Sequence, residues 1–187
     1  MDRKIAVMGA GSWGTALAVS LSSKGHEIRM WDINKDHIED MKERRENRKY
    51  LPEVGFCDRL HLSETPEEAI KDADAVLFSV PAQHFRSVLK TAMPYLKEEM
   101  VLINVAKGIE QKTLLRLSQI ADEFVPGARY AVLSGPSHAE EVGRKMPTTI
   151  VSAAKDMSLA EYVQDLVMCD WLRVYTNTDV TGVEFGG

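Results

Sequence analysis

Three glycines and one carboxylate have the types and spacing to do chemistry. Gly9-Ala10-Gly11-Ser12-Trp13-Gly14 matches G-x-G-x-x-G, with the apolar strand Ile5–Met8 running in and a helical pattern, Thr15–Ser23, running out. In that setting Gly9 permits a tight turn, Gly11 lets backbone approach a pyrophosphate, and Gly14 allows the helix to pack closely on the strand. The helix start adds free N–H groups and a partial positive charge, which favour an anion. The second strand ends Met30-Trp31-Asp32, eighteen positions after Gly14, the spacing of an acid that accepts from ribose hydroxyls. A carboxylate there repels a 2′-phosphate by on the order of 1–4 kcal/mol. The expected cofactor is NAD. NADP stays open, because Asp32 is also placed to cap the next helix.

Two further clusters follow later strands. Lys107 comes after the apolar run Val101–Val105 and before Gly108, at the carboxyl end of a strand, where doubly wound sheets bind ligands. The competing assignment is an ordinary surface lysine. Ser134-Gly135-Pro136-Ser137 also leaves a strand and opens a helical pattern. Gly135 lets backbone approach a ligand and Ser137 offers a hydroxyl. Ser137 is equally suited to cap that helix, with Glu140 or Glu141 completing the first turn.

The elements that must carry these residues alternate. Strands are expected at Lys4–Met8, Glu27–Trp31, Ala75–Val80, Val101–Val105, Tyr130–Ser134, Thr148–Ser152 and Trp171–Tyr175. Helices are expected at Ser12–Ser23, Lys35–Arg45, Pro66–Ala69, Gln83–Met93, Lys112–Phe124, Ala139–Gly143 and Ser158–Met168. Continuous apolar runs such as Ala75–Val80 suit strands covered on both faces. The pattern predicts an α/β fold: a Rossmann-like, doubly wound, mainly parallel sheet with helices on both faces, in one domain over residues 1–187. The apolar faces around Leu114–Leu117 and Leu166–Met168 are assigned to the core. The cluster Lys42–Lys49 intersperses acids and bases and is assigned to a solvated helix end. The chain stops at Gly186–Gly187 after an apolar stretch, with no closing element expected.

Composition removes several classes. The chain has 187 residues, 44% hydrophobic and 27% charged, which excludes widespread disorder. A formal net charge of −5 argues against nucleic acid as a partner. Cys57 and Cys169 form no Cys-x-x-Cys pair, and the five histidines have no ligand spacing, so no metal site is expected. Two lone cysteines suit a reducing, cytoplasmic setting. Arg3 and Lys4 before an apolar stretch, with Ala16-x-Ala18, superficially resemble a secretory signal, but Gly9, Gly11 and Gly14 interrupt the stretch. No run of 18 apolar residues predicts a membrane span.

The residues 9–18, Gly-Ala-Gly-Ser-Trp-Gly-Thr-Ala-Leu-Ala, resemble the opening of NAD(P)-dependent glycerol-3-phosphate dehydrogenases. So do Tyr50-Leu51-Pro52, Ala106-Lys107-Gly108-Ile109-Glu110, Ser134 to Val142, and Val174-Tyr175-Thr176-Asn177 leading to Gly182-Val183-Glu184. The blocks run in the family's order, and the bacterial form is resembled most. The resemblance implies hydride transfer between a nicotinamide cofactor and dihydroxyacetone phosphate, giving sn-glycerol 3-phosphate. It implies cofactor contacts at Ser12, Trp13, Lys107 and Ala139, and substrate contacts at Lys107, Gly135 and Ser137. It places Ile33 and Tyr50 near the adenosine part. The loop Val80-Pro81 is expected to edge the nicotinamide site. Asp32-Ile33-Asn34 stands where bacterial members often carry basic residues, which puts an NADP preference in doubt. The family continues with an Ala-Leu-Lys-Asn block, whose lysine handles the proton, and a helical substrate domain. Neither occurs in this sequence, so it is expected to be the cofactor-binding domain of a two-domain enzyme, poorly active alone; a homodimer of the full-length enzyme is a further expectation.

Hydride reduction of a ketone leaves an alkoxide, which an ammonium group neutralises well. Lys107 is therefore the expected catalytic residue. His84 and His138 are not needed as acids, since lysines suffice. Two alternatives compete: another two-domain hydroxy-acid dehydrogenase, and a non-catalytic NAD(H) sensor. A sensor would need neither Lys107 nor Ser137.

Overall fold

The computed structural model describes residues 2–186, so the terminal Gly187 lies outside the described residues. The amino-terminal half runs β1 (Lys4–Met8), α1 (Ser12–Ser23), β2 (Glu27–Trp31), α2 (Lys35–Arg44), β3 (Glu46–Asn47), β4 (Leu51–Gly55), β5 (Leu60–Leu62) and α3 (Pro66–Ile70). It continues with β6 (Ala75–Phe78), α4 (Ala82–Ala92), β7 (Val101–Asn104), α5 (Leu117–Phe124), β8 (Arg129–Ser134) and α6 (Ala139–Gly143). The last elements are β9 (Thr148–Ala154), α7 (Met157–Val167), β10 (Leu172–Asn177) and α8 (Val180–Gly186).

Among the described residues, eight strands form one sheet in the order β10-β9-β8-β7-β6-β1-β2-β5. Every pair is parallel except β8 with β9. From β5 to β8 this is the doubly wound order, reversing between β1 and β6. Side-chain alternation builds two cores from one sheet. Ile5 and Val7 of β1, Ala75 and Leu77 of β6, and Val101 and Ile103 of β7 face the cluster under α1, α6 and α7. Ala6, Met8, Val76, Phe78 and Leu102 face the cluster under α3, α4 and α5. Both faces of the central strands are therefore buried, as their unbroken apolar runs predict. No described helix is long and apolar enough to cross a membrane.

Four expectations are corrected. The helix expected over Lys112–Phe124 begins only at Leu117. Leu114 sits at φ 60°, which no helix interior admits, and its side chain is 71% exposed rather than in the core. The charge cluster is not one helix end: α2 stops at Arg44, Arg45 turns left-handed (φ 53°), and Glu46–Asn47 pairs with β4 in a small antiparallel hairpin. That hairpin and the short edge strand β5 were not expected. The apolar stretch before the end of the chain forms α8, which packs on β8 and β9 through Val180 and Val183. Other expected elements are present, with ends shifted by a few residues.

Candidate functional site

β1 delivers the chain into the glycine turn, and the turn is locked from below. Gly9 lies at φ +112°, and its N–H donates to the Trp31 carbonyl (2.8 Å). A Cβ on Gly9 would run into the Ser79 carbonyl oxygen, and one on Gly14 into the Gly9 carbonyl oxygen. A Cβ on Gly11 would meet nothing within 4 Å. Gly9 and Gly14 thus each have a steric reason to lack a side chain, and of the three Gly11 alone faces open space. Gly11 is also the N-cap of α1, and no side chain caps that helix. The first N–H groups of a twelve-residue helix are left for an outside acceptor.

Asp32 stands at the end of β2. Its Oδ2 accepts from the Ala10 N–H (2.8 Å) and its Oδ1 from the Asn34 N–H (2.9 Å). The helix-cap alternative is overturned, because Asn34 caps α2 by accepting from the His37 N–H (3.1 Å). Asp32 instead fixes the outer side of the glycine turn. Each carboxylate oxygen keeps a further lone pair for a hydroxyl.

A cavity of about 430 Å³ opens over the carboxyl ends of β1, β6 and β7, at the topological switch. Gly11, Ser12, Trp13, Pro81, Lys107, Ser137 and Ala139 line it, together with His138. Elements far apart in sequence therefore bring these residues together. The Lys107 Nζ donates to the Gly135 carbonyl (2.8 Å), which ties the loop after β7 to the loop after β8. Gly135 packs against β9, where a Cβ would lie 3.0 Å from the Ile150 Cα. Ser137 does not cap α6. His138 is the residue at that position, and the Ser137 hydroxyl donates to the Gly135 carbonyl (3.4 Å). Ile33, 81% exposed, and Tyr50 lie outside the cavity, near Asp32 and the hairpin. Exposed His84 does not line it.

The loop carrying Lys107 is held by groups the sequence did not single out. Arg86 of α4 grips Glu110 through two bonds of 2.8 Å and also pairs with Glu123. The Arg86 guanidinium, with the Thr113 hydroxyl, holds the Glu110 carboxyl down to about 2 from its ordinary 4.5. Gln83 spans the same loop, donating to the Ile109 carbonyl (2.8 Å) and accepting from the Gln111 N–H (2.9 Å). Buried Asn104 ends β7 by accepting from the Ala106 N–H (3.0 Å). Its signal was visible: one polar residue inside the apolar run Val101–Val105. Among the described residues, no group of three or more His, Cys, Asp or Glu is arranged to hold a metal.

The model of the NAD-dependent glycerol-3-phosphate dehydrogenase N-terminus matches residues 4–160. A protein of Pelotomaculum thermopropionicum named glycerol-3-phosphate dehydrogenase [NAD(P)+] is 50% identical over 100% of this chain and 54% of its own length. One of that name from Moorella thermoacetica is 48% identical, over 100% of this chain and 56% of its own. The crystal structure of a glycerol-3-phosphate dehydrogenase from Coxiella burnetii superposes with a TM-score of 0.94 at 30% identity, covering 98% of this chain and 56% of that one. The chain thus spans about half the length of the curated relatives it matches.

Proposed function

The chain belongs to the NAD-dependent glycerol-3-phosphate dehydrogenase family, and from that premise we propose that it binds NAD(H) at the glycine turn as the cofactor-binding domain of that oxidoreductase. The substrate pair is dihydroxyacetone phosphate and sn-glycerol 3-phosphate. The observation that carries the reading is the open cradle at Gly11, on an uncapped helix start, beside a cavity that also receives Lys107.

The residues present fit the cofactor. The N–H groups of Gly11, Ser12 and Trp13 suit the pyrophosphate, and the remaining lone pairs of Asp32 suit ribose hydroxyls. Pro81 and Ala139 line the same cavity. Bound nicotinamide supplies the hydride to the ketone or takes it from the alcohol. Lys107 neutralises the oxygen that gains charge as the carbonyl becomes an alkoxide. Its bond to the Gly135 carbonyl holds the ammonium at the cavity wall, and Ser137 adds a hydroxyl beside it. A cytoplasmic setting belongs to the same proposal, supported by the free thiols Cys57 and Cys169.

Titration of this chain with NADH and NADPH, followed by Trp13 and nicotinamide fluorescence, tests the reading. NADH is expected to bind at least about tenfold more tightly, the factor that ~1.4 kcal/mol of carboxylate–phosphate repulsion produces. Equal or tighter NADPH binding would overturn the role given to Asp32. Binding of neither would overturn the dinucleotide site.

A further inference from the structure

Asn47 lies in the small hairpin, outside the glycine motif, and is fully buried. Its Nδ2 donates to the Ala10 carbonyl (2.9 Å) and to the Thr15 hydroxyl (2.8 Å). Its Oδ1 accepts from the Tyr50 N–H (3.2 Å). The amide orientation is forced, because a carbonyl only accepts and a backbone N–H only donates. The His37 Nε2 lies 3.3 Å from the same Ala10 carbonyl. Ala10 is thereby gripped at both ends, its N–H by Asp32 and its C=O by Asn47.

The Ala10–Gly11 peptide is trans. A planar trans peptide points its C=O and the following N–H in opposite directions. A carbonyl drawn inward to Asn47 therefore turns the Gly11 N–H outward, to the side where Gly11 lines the cavity. The bond to Thr15 ties the same amide to the first turns of α1, so the turn and the helix start are held by one side chain. We propose that Asn47 is a positioning residue for the dinucleotide: by holding the Ala10 carbonyl and the Thr15 hydroxyl it aims the Gly11 N–H and the α1 start at the pyrophosphate. This role rests on the dinucleotide reading above. The same amide also carries the Tyr50 loop.

Asn47→Asp separates the two halves of that amide. It retains an acceptor for the Tyr50 N–H and loses the donor to Ala10 and Thr15. In this chain, the NADH Kd is expected to rise about tenfold or more, while the Kd for adenosine, which lacks phosphate, stays within about twofold. Thr15→Val is isosteric and removes one acceptor of the same amide; a rise of about threefold for NADH alone is expected. Tryptophan fluorescence reads NADH and calorimetry reads adenosine. A folded Asn47→Asp chain with unchanged NADH affinity would overturn the proposal. So would equal losses for NADH and adenosine, which mark a merely structural residue. If Asn47→Asp does not fold, unchanged NADH affinity in Thr15→Val overturns it instead. A wild-type chain that binds no NADH overturns the dinucleotide reading and this role together, whereas failure of the variants alone leaves that reading standing.

Discussion

Gly11 and Gly14 are both glycines of one motif, and they are needed for different reasons. Gly14 has no room for a methyl group, because the Gly9 carbonyl occupies the place. Gly11 has ordinary backbone angles (φ −72°) and empty space beside it. Gly14→Ala is therefore expected to cost ~1–3 kcal/mol of stability through overpacking. Gly11→Ala is expected to stay within ~0.5 kcal/mol of wild type in urea denaturation yet to lose NADH affinity, because the new methyl group fills the space left for ligand. Equal destabilisation by both would contradict the assignment of the open space to ligand. Asp32 is instructive in the same way. Its position in the sequence was compatible with a helix cap or a ribose acceptor, and the structure removes the first, because Asn34 caps α2.

Among the elements, the loop between β7 and α5 matters most to the site, because it carries Lys107. It has no regular secondary structure of its own beyond a single bridge from Ile109 to Arg116. Its shape depends on Arg86, which α4 presents to Glu110. Glu110 is held at about 2, below its ordinary 4.5, mainly by that guanidinium. A carboxyl whose folded-state value is depressed adds stability that is present above 4.5 and lost as pH falls toward about 2. The difference in melting temperature between wild type and Glu110→Gln is thus expected to be constant near neutrality and to shrink across that acid window. A difference that stays flat to pH 3 would remove the pair from the account of the loop.

The start of α5 is fixed on similar terms by α8. Glu184, whose side chain is almost fully buried, accepts from the Ser118 N–H (2.8 Å) at the α5 start and from Arg116 (2.8 Å). Burial, with this carboxylate beside it, raises the Tyr130 hydroxyl well above its ordinary value and keeps it protonated as a donor. One capping group of α5 thus comes from an element sixty-odd positions away, beside the local one that Gln119 provides by accepting from the Arg116 N–H (3.0 Å).

For the whole molecule, ligand and fold are linked. The glycine turn joins β1 to α1 and lies under Ser79, so a dinucleotide bound at that turn is expected to stabilise contacts that span the switch between β1 and β6. NADH at about 100 times its Kd is expected to add ~2.7 kcal/mol, which for a chain of this size raises the melting temperature by about 5–10 °C. NADPH at the same concentration is expected to give a clearly smaller shift. Identical shifts would place the discrimination elsewhere than Asp32.

The parts of this protein written in local order were legible without a structure. Strand–turn–helix context around Gly9–Gly14, the unbroken apolar runs of β6 and β7, and the strand-end placing of Lys107 all depend on near neighbours in the chain, and all were found in place. Tertiary structure alone decided the sheet order, the antiparallel β9, the outward turn of Leu114, the Arg86–Glu110 and Arg116–Glu184 pairs, and the grip of Asn47 on Ala10. The physical reason is the range of the interaction. Periodicity and turn chemistry record how a residue meets its own element, whereas a hydrogen bond between positions 10 and 47, or 116 and 184, has no signature until the fold has brought both partners together.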